Sequence, residues 1–155
     1  MNGILKRIEG CNVMYEIKRA REENFDAMKS FLFDVPAIEQ IDEDVLKNAS
    51  VLYRDNKIYG IISYETFYNY ALVRYFVFKR NVDEMVVKEL FDSIENSIKE
   101  EKIEYIFSLV NNDDIYDLFS RLDFTEADKA EVFVEEVNYE NSKFKDTKLM
   151  IKKIS

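Results

Sequence analysis

The chain has 155 residues, enough for one domain with a buried core, and 47% of them are hydrophobic while 34% are charged. It has 22 Lys and Arg against 31 Asp and Glu, a net charge of −9 that disfavours nucleic acid and favours cationic ligands such as amines or basic peptides. It contains no histidine, one cysteine and three glycines. This composition excludes histidine-dependent nucleophiles, histidine- or thiolate-ligated metal sites, and glycine-rich loops that bind dinucleotides or phosphates.

The chain shows no apolar segment of signal-peptide type or of membrane-spanning length. Because Cys11 stands alone, we expect a cytoplasmic location. Residues 1–13 are expected to form a loosely attached leader with one short strand or helical turn, and residues 14–155 a single domain. The acidic segments 41–45 and 112–114 are interpreted as helix starts, and no metal site is expected.

Regular patterns begin with an alternating segment, which predicts a strand over residues 14–19. Phe25, Met28, Leu32 and Val35 then recur at helical spacing, and Pro36 ends the predicted helix. Asp42 is a predicted N-cap for a second, short helix.

Three strands are predicted next, over residues 50–54, 57–67 and 71–78, with a tight turn at Asp55-Asn56 between the first two. The third is almost continuously apolar, which is typical of a strand covered on both faces. Tyrosines and phenylalanines crowd between Tyr64 and Phe78. They are interpreted either as an aromatic ligand pocket or as core packing with a dimer contact, and the second interpretation is favoured.

The longest helix is predicted over residues 82–102, with Met85, Val86, Leu90, Ile94 and Ile98 on its buried face and Glu95 on its outer face. A strand over 103–110, a helix over 114–122 and strands over 130–138 and 147–154 follow. This order predicts an α/β fold with a mixed sheet, helices on both faces and a right-handed parallel crossover from residue 71 to residue 110.

This element order resembles that of the GNAT-type N-acetyltransferase superfamily, from Met14 to Ile154. Val51–Ser63 resembles the family's second and third strands, with Gly60 shortly after the turn. Asn111 and the segment Ile115–Phe124 resemble the family's asparagine and its "LYxKLGF" helix. The segment from Leu149 to Lys153 resembles the last strand.

The resemblance implies that acetyl-CoA binds between the strands over 71–78 and 103–110. The first of these strands would pair with the pantetheine arm, and the loop that opens the long helix would hold the pyrophosphate through backbone N–H groups. The residues that the resemblance places against the cofactor are Phe76, Val77, Phe78, Val82, Asp83, Glu84, Met85, Val86, Val87, Asn111 and Phe119.

The loop departs from the family's phosphate-binding pattern. Val82 stands at the arginine position, and Asp83, Met85 and Val87 stand at the glycine positions. Asn81 with Glu84 predicts a capping box, which would use the N–H groups that a pyrophosphate needs. The preceding Lys79-Arg80 pair is interpreted either as a replacement phosphate contact or as two solvated side chains.

Candidates for proton transfer are few. Phe119 occupies the position of the family's thiolate-protonating tyrosine, so Tyr116, three residues earlier, is the substitute candidate. Glu65 and Glu104 are the candidates for a general base, and a solvent-facing strand carboxylate is the favoured interpretation of both.

Three hypotheses follow. The chain is a GNAT-like acetyltransferase that moves an acetyl group from acetyl-CoA to an amine, or it is a non-catalytic GNAT-fold module for ligand binding or dimerisation that no longer binds CoA. The third is an unrelated mixed α/β fold. A small-molecule amine or a basic peptide is the expected partner in the first case, and a homodimer is a candidate assembly in both of the first two.

Overall fold

The computed structural model describes residues 4–7, 14–127 and 147–154. The chain divides into two compact units, Met1–Glu65 with Arg74–Glu101, and Thr66–Val73 with Lys102–Ser155. Cys11 and the strand expected over residues 130–138 lie outside the described residues. The leader over residues 1–13 and the single domain over 14–155 stay predictions.

The helices and strands follow the predicted order, with a strand in the leader and a short strand after the last helix in addition. Their bounds are β1 Ile4–Arg7, β2 Met14–Arg19, α1 Phe25–Phe33, α2 Glu43–Leu46, β3 Ser50–Arg54, β4 Lys57–Phe67, β5 Tyr70–Phe78, α3 Glu84–Glu100, β6 Tyr105–Val110, α4 Asp113–Arg121, β7 Thr125–Ala127 and β8 Lys148–Lys153.

In the first unit the strands lie in chain order, β1-β2-β3-β4-β5. The pairs β1–β2, β2–β3 and β3–β4 are antiparallel. Asp55 and Asn56 both have positive φ angles, 52° and 63°, as a two-residue type I′ turn requires, which confirms the predicted hairpin.

Two helices cover opposite faces of this part of the sheet. Phe25, Met28 and Leu32 of α1 pack with Val51 and Ile61. On the other face, the Ser50 hydroxyl lies 2.7 Å from that of Ser93 on α3. Because neighbouring strand residues point to opposite faces, the predicted placement of helices on both faces is confirmed for this unit.

Gly60 lets α3 approach the sheet. A Cβ atom at this position would lie 3.2 Å from the Cβ of Phe78 and 3.4 Å from Cδ2 of Leu90. Both distances are at or below ordinary van der Waals contact, so any side chain here would push the helix or β5 away.

The strand β5 is irregular at Tyr75, where φ is 46° although the residue is not glycine. Three interactions hold this conformation. The buried Ser63 hydroxyl donates to the Arg74 carbonyl oxygen at 3.0 Å. The Tyr75 hydroxyl accepts from the backbone N–H of Asp42 at 3.0 Å, and the Arg74 guanidinium is paired with Glu65. Strained residues persist only where the surroundings fix them in this way.

In the second unit the strand order is β5-β6-β8-β7. Residues Tyr70–Leu72 of β5 pair in parallel with Tyr105–Phe107 of β6, which confirms the predicted parallel connection. Strand β8 lies antiparallel to both β6 and β7. Leu118 and Phe119 give α4 its buried face, and its C-cap, Leu122, is buried as well.

Three details of the predicted helices are wrong. Helix α1 ends at Phe33, so Val35 lies beyond it, and α3 begins at Glu84 instead of residue 82. Met85 is 74% exposed while Glu95 is buried. The buried stripe runs through Val86, Val87, Leu90, Phe91, Ile94, Glu95 and Ile98. Met85 lies outside this stripe. It lies on the same side of the helix as the exposed residues Lys88 and Asp92.

Replacing Ser63 with alanine tests the support of the β5 irregularity. We expect Ser63→Ala to lower the free energy of unfolding by about 1–3 kcal/mol, because the Arg74 carbonyl loses its side-chain donor. Urea denaturation measures the change. Ser97→Ala is the matched control, since the Ser97 hydroxyl bonds only the carbonyl of Ser93 one helical turn earlier, and it should cost less than half as much.

Tyr15 makes the stability of the first unit depend on pH. Its hydroxyl donates to Glu89 on α3 at 2.8 Å, and burial, reinforced by this carboxylate, raises the pKa of Tyr15 from 10.0 to about 12. The stabilisation is complete below pH 10 and is lost as the pH rises toward 12. Each proton involved contributes a slope of up to about 1.4 kcal/mol per pH unit.

Urea denaturation between pH 8 and 11.5 checks this expectation. The unfolding free energy of Tyr15→Phe should differ from wild type by a constant amount below pH 10 and should fall less steeply above it. Parallel curves above pH 10 would contradict the assignment of the slope to Tyr15.

Candidate functional site

The last residues of β5 form the strand-end candidate, which the sequence placed at Phe76, Val77 and Phe78. The Phe76 and Phe78 ring centroids lie 5.4 Å apart. Phe78 faces α3 beside Gly60, whereas Val77 packs against the α1 cluster. Both faces of the strand are therefore committed to packing. What these residues can offer a ligand is their backbone, along the strand edge that is turned away from β4.

The irregularity at Tyr75 changes the direction of that edge immediately before Phe76. A residue with positive φ in a strand interrupts the regular alternation of N–H and C=O groups, and such interruptions are frequent beside functional sites. This irregularity was not predicted from the sequence. Ser63 was the available signal, as a hydroxyl residue within the apolar run Ile61–Tyr64.

The helix N-terminus that should hold a phosphate is occupied by the chain itself. The predicted capping box of Asn81 and Glu84 is wrong, because the N-cap is Asp83. Its carboxylate accepts from the Met85 N–H at 2.8 Å. The Asp83 carbonyl oxygen accepts from the backbone N–H groups of Val86 at 3.0 Å and of Val87 at 3.1 Å.

The remaining loop candidates offer a ligand little. Val82 is half-buried, and the side chains of Val86 and Val87 belong to the core. Glu84 and Met85 are exposed, and Glu84 adds a second carboxylate to the one that caps the helix. The residues present at this N-terminus therefore do not fit a pyrophosphate, because a negatively charged group already neutralises the helix dipole there.

Three candidates lie in the second unit. Asn111 is exposed between β6 and the α4 N-cap, Asn112. Phe119 is 1% exposed and packs edge-on against Phe124, with ring centroids 4.9 Å apart, so it reaches no surface from which to touch a ligand. Tyr116 is at the surface. Its pKa is raised, chiefly by a hydrogen bond to Glu126, so it remains protonated at neutral pH.

Both carboxylate candidates for a general base already have partners. Glu65 is paired with Arg74 beside the β5 irregularity, and both side chains are one-third exposed. Glu104 accepts from the side-chain amide of Asn69 at 2.8 Å. Glu65 therefore holds Arg74, the residue before Tyr75, and Glu104 holds Asn69 in the β4–β5 turn.

Most rings of the aromatic segment belong to the packing of their own units. Tyr70 stacks with Phe67 at 5.3 Å and contacts Phe107 at 4.9 Å. Tyr64 is buried, and only Tyr68, in the turn, is largely exposed, at 80%.

A polar cleft of about 260 Å³ lies at the C-terminal end of α3 in the first unit. Its lining residues are Arg19, Lys47, Asn48, Ala49, Tyr64, Ser97, Glu100 and Glu101. The Tyr64 hydroxyl donates to Glu101 at 2.6 Å, and burial together with this bond raises the pKa of Tyr64. A helix of 17 residues separates this cleft from Asp83 by about 25 Å, so the two ends of α3 are distinct places.

Within the described ranges no group of three or more acidic or cysteine side chains is arranged to hold a metal ion. None of the helices in these ranges has the length and hydrophobicity needed to cross a membrane.

Comparison of sequences finds no relative. No protein-family model matches the chain, and no curated protein sequence matches it.

Comparison of structures does find similar proteins. A GNAT-family acetyltransferase from Staphylococcus aureus superposes with a TM-score of 0.73 at 12% identity, over 91% of this chain and 99% of the other. A Mycobacterium tuberculosis protein in complex with coenzyme A gives 0.72 at 14% identity, over 90% and 99%.

N-Acetylglutamate synthase from Neisseria gonorrhoeae, in complex with coenzyme A and N-acetylglutamate, gives a TM-score of 0.69 at 15% identity over 91% of this chain. The chain spans about a third of the length of that synthase (35%). These similarities confirm the predicted fold class. The chain has the mixed α/β fold of the GNAT-type acetyltransferases.

Proposed function

We propose that the chain is an N-acetyltransferase that moves an acetyl group from acetyl-CoA to an amine. The observation that carries the proposal is the irregular end of β5, where Tyr75 turns the strand and leaves the edge of Phe76–Phe78 as a backbone template. The fold shared with acetyltransferases, including structures that contain coenzyme A, supports the same assignment.

In this proposal the pantetheine arm of acetyl-CoA pairs with the backbone of Phe76–Phe78 as an added strand would. Amide groups of the arm match the N–H and C=O groups of a strand edge, so no particular side chain is needed. A backbone N–H group beside Tyr75 would donate to the thioester carbonyl. Because three contacts already fix this peptide, the donor is held in place before the substrate binds.

The reaction is a direct acyl transfer. A cationic acceptor first releases one proton to solvent. The nitrogen of the neutral amine then forms a bond to the acetyl carbon, the carbon–sulfur bond breaks, the nitrogen loses one proton, and the thiolate gains one. Glu65 is the candidate to take the proton that the nitrogen loses in this step, and Tyr116 the candidate to supply the one that the thiolate gains. Glu65 would have to exchange its contact with Arg74 for one with the amine.

The acceptor is proposed to be a small cationic amine or a basic peptide, in keeping with the net charge of −9. The N. gonorrhoeae synthase is found with N-acetylglutamate or L-arginine, which makes amino acids the first acceptors to test here. A cytoplasmic location and a homodimer belong to this proposal as well.

The second candidate function is a non-catalytic GNAT-fold module for ligand binding or dimerisation. The occupied N-terminus of α3 favours it, because Asp83 accepts from the N–H groups of Met85, Val86 and Val87 and places a carboxylate where a pyrophosphate would bind. The burial of Phe119, which also has no hydroxyl, removes a further element of the reaction.

Titration calorimetry of the purified protein with acetyl-CoA and with CoA separates the two candidates. We expect micromolar binding of both and, with amino acids as acceptors, release of free thiol at a rate above that of thioester hydrolysis. Binding without thiol release would refute transfer to the amino acids tested. Absence of binding at millimolar ligand would refute the acetyltransferase and favour the non-catalytic module that no longer binds CoA.

Asp83 gives a second test that separates repulsion from loss of structure. Asp83→Asn keeps a side chain that caps helices equally well and removes its negative charge. We expect CoA affinity to rise about two- to fivefold, the effect of one charge at a helix N-terminus. Asp42→Asn makes the same change at the α2 N-cap and should leave CoA affinity unchanged.

Calorimetry with both variants at low ionic strength measures the difference. An unchanged affinity in Asp83→Asn would show that the ligand phosphates do not approach α3.

A further inference from the structure

The basic side chains of the first unit are unevenly paired. Seven of the described ones form ion pairs with acidic residues, namely Lys18, Arg19, Arg21, Lys29, Lys47, Arg74 and Lys99. Within the described part of the chain, four others that lie in two adjoining segments have no such partner. These are Arg54, Lys57, Lys79 and Arg80, called the basic patch below.

Tyr59 joins the two segments of the basic patch. The Arg54 guanidinium carbon lies 5.3 Å, and the Lys79 ammonium nitrogen 4.4 Å, from the centroid of its ring. The backbone N–H of Lys79 donates to the Tyr59 carbonyl oxygen at 2.9 Å. The β3–β4 hairpin and the end of β5 thus bring two cations onto one aromatic ring.

A β-bulge aims Tyr59 at these cations. Leu52 pairs with Gly60, whereas the next residue of β3, Tyr53, pairs with Ile58, so Tyr59 is the extra residue of β4. A bulge bends its strand and redirects the side chain that it adds. The position of the ring is therefore set by the backbone.

The cations of the basic patch stand out because the chain as a whole is acidic. The chain has 31 acidic against 22 basic residues, and elsewhere in the first unit cations such as Lys18 and Lys29 each have an acidic partner. Cations that are gathered without one repel each other, and an anion from outside the chain relieves that repulsion. With four cations against the exposed Asp55 of the same hairpin turn, the basic patch carries a net positive charge, which favours binding of an anion.

The basic patch adjoins the proposed cofactor site along the chain. Lys79 directly follows Phe78, the last residue of β5, and Asp83 caps α3 four residues later. Coenzyme A has two anionic groups, a pyrophosphate and a terminal phosphate monoester, and each is a candidate ligand of the basic patch. The pyrophosphate would have to approach the Asp83 carboxylate, whereas a terminal phosphate monoester on the nucleotide can be reached by the long side chains of the half-buried Arg54 and the exposed Lys79.

Resting on the proposed function, we propose that the basic patch binds the 3′-phosphate of coenzyme A, with Arg54 and Lys79 as its main ligands. Phosphate recognition in this chain is then carried by side-chain cations held on Tyr59, instead of by the N–H groups of α3. Affinity should depend on the terminal monoester and should weaken as salt is added.

The test compares CoA with 3′-dephospho-CoA, which differs only by that monoester. Calorimetry at low and moderate salt is carried out on wild type, Arg54→Ala, Lys79→Ala and the control Lys88→Ala, whose side chain is an exposed cation of α3. We expect wild type to bind CoA about tenfold more tightly than dephospho-CoA at low salt, the value of one charge-assisted contact.

Arg54→Ala and Lys79→Ala should remove most of that preference while leaving the affinity for dephospho-CoA unchanged. Lys88→Ala should keep it. The conservative Lys79→Arg should also keep it, and thermal melts of all variants confirm that they fold.

Three results would overturn the inference. Equal binding of both ligands by wild type refutes the phosphate contact and leaves the proposed function standing. If Lys88→Ala lowers the preference for CoA over dephospho-CoA as much as Lys79→Ala does, the preference comes from general electrostatic attraction and not from a specific contact. Failure of wild type to bind either ligand removes the proposed function and this inference together.

Discussion

The peptide that joins Arg74 to Tyr75 is the constraint on which the candidate site depends. A strand that turns at a single residue loses regular hydrogen bonds, and these have to be replaced before the turn is stable. A buried serine hydroxyl replaces one of them at the Arg74 carbonyl, and a tyrosine hydroxyl and an ion pair anchor the side chains of Tyr75 and Arg74. Because they come from β4, from the residue that caps α2 and from β5 itself, the irregularity is fixed by the packed first unit and not by local preference.

The charges near the start of α3 make one place unfavourable and another favourable for binding an anion. The N-terminus of the helix is neutralised by Asp83, which takes up the donors of the first turn. The basic patch, formed by Lys79 and Arg80 just before this helix and by Arg54 and Lys57 of the β3–β4 hairpin, contains cations that have no acidic partner within the described residues. An anion is repelled at the Asp83 N-cap and attracted at the basic patch. A phosphate-containing ligand can therefore be bound by side-chain cations instead of by the N–H groups of α3.

The similarity in structure at 12–15% identity has a physical explanation. Packing of α1 and α3 on the two faces of the sheet needs an apolar pattern and close approach at Gly60, and many sequences meet those demands. Phosphate binding at a helix N-terminus needs unobstructed N–H groups, and a single carboxylate is enough to remove it. Fold and cofactor chemistry therefore diverge at different rates, and the fold alone does not establish activity.

The sequence by itself determined most of the order of the elements, the tight turn at Asp55-Asn56, the cap at Asp42 and the helix start over residues 112–114, because these depend on neighbours a few residues apart. It predicted the wrong cap for α3, since Asn81 and Asp83 are both good capping residues and only the packed helix selects between them. Tertiary structure alone decided the positive φ of Tyr75 and the meeting of Arg54 with Lys79 on Tyr59, because each joins residues brought together by strand pairing.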